Sequence, residues 1–107
     1  LPPLPPQDAH HGPLWRVDGP PAQILADLGA RGITRVFCEG GGRLAASLLA
    51  AGLVDQLVGY TAGLALGAEA RPFLGPTGWM HLIQAPRFHL AETRAIGGDL
   101  FHRWTRA

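Results

Sequence analysis

Hydrophobic residues recur at helical spacing in the early part of the chain. Ile24, Leu25 and Leu28 fall on one face of a predicted helix. The proline pair that ends at Pro21 suits a first helical turn, because proline lacks an amide hydrogen and its φ is already near the helical value. Gly32 suits the position just beyond a last turn, where a left-handed conformation is common. We therefore expect a helix that begins near Pro21 and ends before Gly32.

A second helix is predicted between two strands. Residues 43–51 carry leucines and alanines at four-residue spacing, and Gly52 ends this pattern. Residues 33–38 and 56–62 contain the β-branched and aromatic side chains that favour strands. The order strand, short turn, helix, short turn, strand predicts a βαβ unit, in which the two strands are parallel and the crossover is right-handed.

The last part of the chain predicts a hairpin. Residues 88–95 and 99–104 are typical of two strands, and the turn between them contains Gly97 and Gly98. The glycines and prolines of residues 63–87 predict an irregular segment before the hairpin. These elements predict a protein of the α/β class, with a mixed sheet that contains a βαβ unit and a C-terminal antiparallel hairpin.

The first residues are dominated by proline. Residues 1–13 hold five prolines, which fix φ and remove amide donors, so this stretch is predicted to be a flexible tail. Residues 14–17 predict a short strand that opens the folded part, residues 14–107. The chain begins with Leu1 and its single methionine is Met80. We therefore expect it to be a part of a longer protein.

Composition narrows the class of protein further. A chain of 107 residues allows one small domain, and its net charge of +1 gives no electrostatic reason to expect nucleic acid or an anionic membrane as partner. No apolar run is long enough to span a bilayer. The single cysteine, Cys38, excludes an internal disulfide, is expected to be buried in its strand, and fits a reducing compartment. We therefore expect a cytoplasmic protein. We also expect no metal site, since the five histidines lack metal-ligand spacing.

A glycine-rich turn carries the candidate chemistry. Glu39 stands at the carboxyl end of the predicted strand, and residues 40–42 are all glycine, so a ligand can approach the backbone closely. The turn has no side chain that could cap the following helix. Arg43 falls in the first helical turn, where the helix dipole disfavours a cation by roughly 0.3–1 kcal/mol. A bound phosphate would satisfy these groups, but a tight turn with water on the helix end explains the spacing equally well.

A longer run of residues resembles a known family. Residues 36–57 read VFCEGGGRLAASLLAAGLVDQL. This run is similar to the strand, glycine turn and helix of the bifunctional riboflavin biosynthesis deaminase/reductase family. The resemblance extends over residues 24–103. It includes Tyr60, the pair Leu66-Gly67, and the motifs APRF and GDL at the predicted hairpin. The zinc deaminase domain of that family is not contained in the chain, which has one cysteine and no H-x-E motif.

The resemblance implies a fold, an activity and a set of site residues. The fold would be part of a dihydrofolate-reductase-like domain, of which the chain would form the C-terminal half. The activity would be NADPH-dependent reduction of 5-amino-6-(5-phosphoribosylamino)uracil, in which the ribosyl group becomes a ribityl chain. By the same resemblance Glu39 would bind the substrate. The residues that would line the NADPH are Gly41, Gly42, Arg43, Leu44, Ala45, Ala46 and Ser47.

Departures from the family leave other functions open. Gly42 replaces a proline or serine, which predicts a looser turn, and residues 63–65 replace a Pro-Lys pattern. By the resemblance, the first half of the reductase domain would lie outside this chain, so we expect the isolated chain to have little reductase activity and to self-associate, for example as a homodimer. One alternative is a catalytically silent fragment that acts as an assembly or nucleotide-binding module. Another is a related dihydrofolate-reductase-like enzyme with a different substrate.

Overall fold

The computed structural model describes residues 3–4, 14–15 and 17–107, which belong to two compact units, Leu1–Phe37 and Cys38–Ala107. In the first unit, strand β1 (Pro3–Leu4) pairs antiparallel with strand β2 (Leu14–Trp15). The strand predicted at residues 14–17 is thus present in its first two residues. The rest of the predicted tail lies outside the described residues, and its flexibility stays a prediction.

Helix α1 (Pro21–Ala30) has the predicted boundaries. Pro20 is the N-cap residue, with an extended backbone, and Pro21 occupies the first helical position. The helix ends two residues before Gly32, whose φ of +86° lies in the left-handed region. The amide of Gly32 donates a hydrogen bond to the carbonyl of Gly29 at 3.0 Å. The two signals that predicted this helix, proline at its start and glycine at its end, therefore act as expected.

The second unit contains one helix and a three-stranded antiparallel sheet. The sheet order is β3-β5-β4, so the last strand of the chain lies in the centre. Gly52, with a φ of +70°, ends the helix, and Gly97, with a φ of +58°, allows the two-residue turn of the predicted hairpin. The elements are helix α2 (Gly42–Ala50), strand β3 (Gln56–Thr61), a 3-10 turn (Leu82–Gln84), strand β4 (Phe88–Ile96) and strand β5 (Asp99–Arg106).

The α/β class and the C-terminal hairpin are confirmed, but the predicted βαβ unit is not formed among the described residues. Residues 33–38 are exposed and belong to no strand, while β3 pairs with β5 in the antiparallel sense. The physical reason is that β-propensity reflects packing against a neighbouring strand. Residues with high β-propensity therefore do not form a strand without a partner. Among the described residues, residues 33–38 pair with no strand.

The core of the second unit is small. Ala46, Leu49 and Phe101 are the buried hydrophobic residues of the described chain. Tyr60 packs against Phe101 with ring centroids 5.3 Å apart, and the Arg94 guanidinium lies 5.2 Å from the centre of the same ring. The central strand is thus covered near its beginning by side chains of both neighbouring strands. Many other large apolar side chains are exposed.

Candidate functional site

The start of helix α2 has no side-chain cap. Gly41 is the N-cap residue, no side chain accepts a hydrogen bond from the first turn, and that turn contains no acidic residue. The first helical hydrogen bond runs from the Ala45 amide to the Gly41 carbonyl, at 3.1 Å. The amides of residues 42–44 therefore have no acceptor within the helix. They give this end of α2 a set of free N–H donors and a partial positive charge.

The three glycines of the turn have different surroundings. A β-carbon at Gly40 would come within 2.5 Å of Leu44 Cδ2, so the Leu44 side chain folds back over this residue. A β-carbon at Gly42 would meet backbone atoms, with the Phe73 carbonyl oxygen at 3.0 Å. Around Gly41 nothing lies within 4 Å of that position. Gly40 and Gly42 thus serve internal packing, whereas the space around Gly41 is open.

A second stretch of backbone crosses the helix start. The Gly75 amide donates a hydrogen bond of 2.9 Å to the Gly42 carbonyl. A β-carbon at Gly75 would lie only 3.2 Å from the Cα of Arg43. The missing side chain of Gly42 lets residues 73–75 pass close to the helix. That Gly42 loosens the turn stays a prediction.

The charged residues of the predicted site are accessible. Glu39 is exposed, three residues before the helix, and no hydrogen bond or ion pair engages its carboxylate among the described residues. Arg43 is also exposed, and within the same part of the chain its guanidinium has no acidic partner. The Glu39 carboxylate and the Arg43 guanidinium are thus both open to solvent, and both residues are close in sequence to the free amides of the turn.

The other predicted cofactor residues lie on different faces of α2. Leu44 and Ser47 are exposed, Ala45 is half-buried, and Ala46 is only 3% exposed and belongs to the core. The Ser47 hydroxyl donates to the Arg43 carbonyl one turn earlier, at 3.0 Å. The structure therefore brings the turn, Arg43, Leu44 and Ser47 to one accessible region and directs Ala46 away from it. The cofactor role of all seven residues stays a prediction.

Sequence reasoning missed the residues that cross the helix start. Gly75 lies in a segment whose glycines and prolines indicated only irregular structure, and no local pattern pairs it with Gly42. Cys38 was expected in the interior of a strand, but it is exposed, because the strand around it does not form. The first difference arises from a contact between distant parts of the chain, and the second from the lack of a strand partner for residues 33–38 among the described residues. A local sequence pattern contains neither.

A groove of about 300 Å³ lies at the opposite end of α2. Its walls include Leu49 and Gly52 of the helix end, Phe88 of β4 and Arg106 of β5. The Arg106 guanidinium donates to the carbonyl of Val54, another residue of the groove wall, at 2.9 and 3.0 Å. None of the residues predicted to bind cofactor or substrate lines it. The groove is therefore separate from the candidate site at the helix start.

The described residues offer no cluster of metal ligands. Within residues 3–4, 14–15 and 17–107, no three His, Cys, Asp or Glu side chains are close enough to hold a metal ion. In the same ranges no helix has the length and apolar character needed to cross a membrane.

The fold of this chain is similar to that of solved RibD structures. Two solved structures of RibD from Acinetobacter baumannii, forms 1 and 2, each match with a TM-score of 0.73 and 22% sequence identity. Each match covers 88% of this chain and 26% of the solved chain. RibD has a dihydrofolate-reductase-like fold, so the predicted fold family is confirmed.

Sequence comparison then gives the family. The model of the RibD C-terminal domain matches residues 11–102, and the chain therefore belongs to the RibD C-terminal domain family. The riboflavin biosynthesis protein RibD of Escherichia coli (strain K12) is 39% identical over 77 residues, which cover 72% of this chain and 21% of that protein. RibD of Haemophilus influenzae is 30% identical over 111 residues, covering 84% and 30% of the respective chains. The chain thus spans less than a third of either relative.

Proposed function

We propose that this chain supplies the C-terminal part of an NADPH-dependent reductase of riboflavin biosynthesis. The substrate would be 5-amino-6-(5-phosphoribosylamino)uracil, whose ribosyl group is reduced to ribityl. Membership in the RibD C-terminal domain family supports the proposal, and the relatives are named riboflavin biosynthesis proteins. These similarities support a role in riboflavin biosynthesis directly, and the specific reaction is the further step of the proposal.

The uncapped start of α2 is the observation that carries the cofactor assignment. Three amides without a helical acceptor lie beside Gly41, whose surroundings are open, and Arg43 stands exposed next to them. Phosphate groups accept hydrogen bonds from such amides and are favoured by the positive end of the helix dipole. Residues 41–44 therefore fit the phosphates of a dinucleotide. Leu44 and Ser47, on the exposed side of the helix, extend this surface.

The proposal assigns separate roles to the cofactor, to the start of α2 and to Glu39. NADPH, when bound, supplies the hydride for the reduction. The helix start would hold the cofactor by its phosphates and so fix its position. Glu39 would bind the substrate, where its exposed carboxylate can accept hydrogen bonds from sugar hydroxyls. Because the carboxylate comes from the residues just before the helix, one short stretch of chain would place both ligands.

A substitution at Gly41 tests the cofactor assignment. Gly41 has a φ of −70° and open surroundings, so Gly41→Leu should fold normally while its side chain blocks the approach to the helix amides. We expect the dissociation constant for NADPH, measured by fluorescence titration on the full-length protein that contains these residues, to rise about tenfold or more, the loss of one or two charge-assisted hydrogen bonds. Gly63→Leu is the matched control, since position 63 is equally open. Unchanged NADPH affinity in a folded Gly41→Leu protein would reject the assignment.

Exposed apolar surface favours a second candidate, an assembly or nucleotide-binding module without turnover. Met80, Leu82 and Ile83 are each more than 80% exposed, and the outer strands β3 and β4 have unpaired edges in the described sheet. Such features are typical of surfaces that associate with other protein. Steady-state oxidation of NADPH with the aminouracil substrate separates the two functions, because a module that only binds would show affinity without turnover.

A further inference from the structure

Gly75 lies against the start of α2 although it is far from the helix in sequence. Its amide donates a hydrogen bond of 2.9 Å to the Gly42 carbonyl. A β-carbon at this position would lie 3.2 Å from Arg43 Cα and 3.3 Å from both Arg43 N and Arg43 Cγ. These separations are shorter than ordinary van der Waals contact. An alanine at position 75 would therefore have to displace the first turn by a few tenths of an ångström.

The contact is reciprocal. A β-carbon at Gly42 would meet the Phe73 carbonyl oxygen at 3.0 Å and the Gly75 nitrogen at 3.1 Å. Two backbones thus meet with no side chain between them, and no rotamer change can relieve added bulk. The Arg43 amide is one of the three donors without a helical acceptor, and it adjoins position 75. The passage of residues 73–75 across the start of α2 therefore determines where the Arg43 amide lies.

We propose that Gly75 is a positioning residue of the nucleotide site at the start of α2, an inference that rests on the proposed function. It acts through the Gly42 carbonyl and the Arg43 backbone and requires no contact with the cofactor. If Gly75 served packing alone, its replacement would lower stability and leave the cofactor affinity of the folded protein intact. If Gly75 positions the site, its replacement lowers that affinity, because the displaced N–H donors no longer meet the phosphates at hydrogen-bond geometry.

The first experiment replaces Gly75 in the full-length protein that contains these residues. We expect Gly75→Ala to raise the Kd for NADPH about fivefold, since small misplacements of binding groups are costly. The KM for the aminouracil, which is assigned to Glu39, should stay within about twofold, because that residue precedes the crossing. Gly63→Ala is the matched control, as position 63 is open and its φ is not positive. It should leave both constants unchanged.

The second experiment needs no substitution and so decides the matter even if Gly75→Ala does not fold. Hydrogen exchange of the Gly75 amide is followed in the wild-type protein with and without saturating NADPH. A nucleotide held by the first turn should slow this exchange severalfold, because it stabilises the turn that accepts the bond from Gly75. The Gly52 amide, bonded to the Leu49 carbonyl at the other end of α2, is the internal control and should not change.

The outcomes separate this inference from the function on which it rests. If the wild-type protein does not bind NADPH, both are wrong. If it binds NADPH, but Gly75→Ala leaves the affinity intact or the Gly75 amide exchanges at the same rate with cofactor, the positioning role alone is wrong. A raised Kd with a nearly constant aminouracil KM, together with slower exchange at Gly75, supports it.

Discussion

The imidazole of His102 on β5 lies over Gly59 on the neighbouring strand β3, in the space that a side chain at position 59 would occupy. Trp104 Nε1, which can only donate, donates to His102 Nδ1 at 2.9 Å. The ring hydrogen of the neutral imidazole is therefore on Nε2, which lies 3.3 Å from Thr61 Oγ1. Two hydrogen bonds thus hold the His102 ring of the central strand against a buried glycine of the outer strand β3.

This relationship predicts that Gly59→Ala destabilises the sheet. The new methyl group would overlap the His102 ring, which cannot swing away without losing its bonds to Trp104 and Thr61. We expect the free energy of unfolding to fall by about 1–3 kcal/mol, the usual cost of overpacking. Urea denaturation of the chain measures it, with Gly63→Ala as a control that should change stability little.

A double-substitution cycle identifies the cause. His102→Ala removes the ring and should by itself destabilise the sheet, because the Trp104 N–H loses its acceptor. In that background, however, Gly59→Ala should cost much less than in the wild type, since the overlap is gone. Additive losses would mean that the clash with His102 is not the reason for the glycine.

The neighbouring glycines of the turn should respond differently to the same small change. Gly42→Ala places a methyl group 3.0 Å from the Phe73 carbonyl oxygen, a backbone atom that cannot rotate away, and we expect a loss of about 1–3 kcal/mol of stability. Gly41→Ala meets nothing and has an ordinary φ, so its effect should stay within about 0.5 kcal/mol. Thermal or urea unfolding of both variants makes the comparison. Equal effects would contradict the different roles assigned to the two glycines.

Elements with local signals were predictable from sequence. The proline at the start of α1, the glycines after both helices and the Gly97 turn each specify the local backbone, and the observed boundaries agree within two residues or so. Residues 33–38 show the limit of such signals. Their composition favours a strand, but a strand requires a partner, and no partner is present among the described residues. A local pattern cannot tell whether that partner exists.

The candidate site was predictable in the same partial way. The absence of a capping side chain could be read from residues 40–42, and the structure agrees. The sequence could not distinguish the three glycines, because the difference depends on Leu44 folding back and on the distant Gly75. Nor could it show that Ala46 faces the core, since alanine is compatible with either face of a helix.

The proposed role of Glu39 predicts a selective kinetic defect. Glu39→Gln removes the negative charge from an exposed side chain that has no hydrogen bond or ion pair among the described residues, so the fold should not change. We expect the KM for the aminouracil to rise about tenfold or more, because hydrogen bonds to a charged group contribute roughly 1.5–3 kcal/mol. The Kd for NADPH should be unaffected. Steady-state kinetics of the full-length protein provide both values.

A matched carboxylate serves as the control for this change. Glu69 is also exposed, and Glu69→Gln alters the net charge by the same amount at a position outside the candidate site. Its kinetic constants should equal those of the wild type. If both variants raise the KM equally, the effect reflects net charge and not a contact with Glu39; if neither does, Glu39 does not bind the substrate.

The exposed apolar turn predicts that the isolated chain self-associates. Leu82 and Ile83 are 88% and 86% exposed, and the Gln84 side-chain oxygen accepts hydrogen bonds from the amides of Met80 and His81, at 2.6 and 3.0 Å, which fixes the turn that presents them. Replacing Leu82 and Ile83 together by serine should shift the sedimentation coefficient toward the monomer, because each leucine or isoleucine withdrawn from water contributes about 1.5–3 kcal/mol. Ala50→Ser with Ala51→Ser, at exposed positions with little apolar area, should leave the wild-type distribution unchanged. A wild-type chain that sediments as a monomer at all concentrations would show that this surface does not drive association.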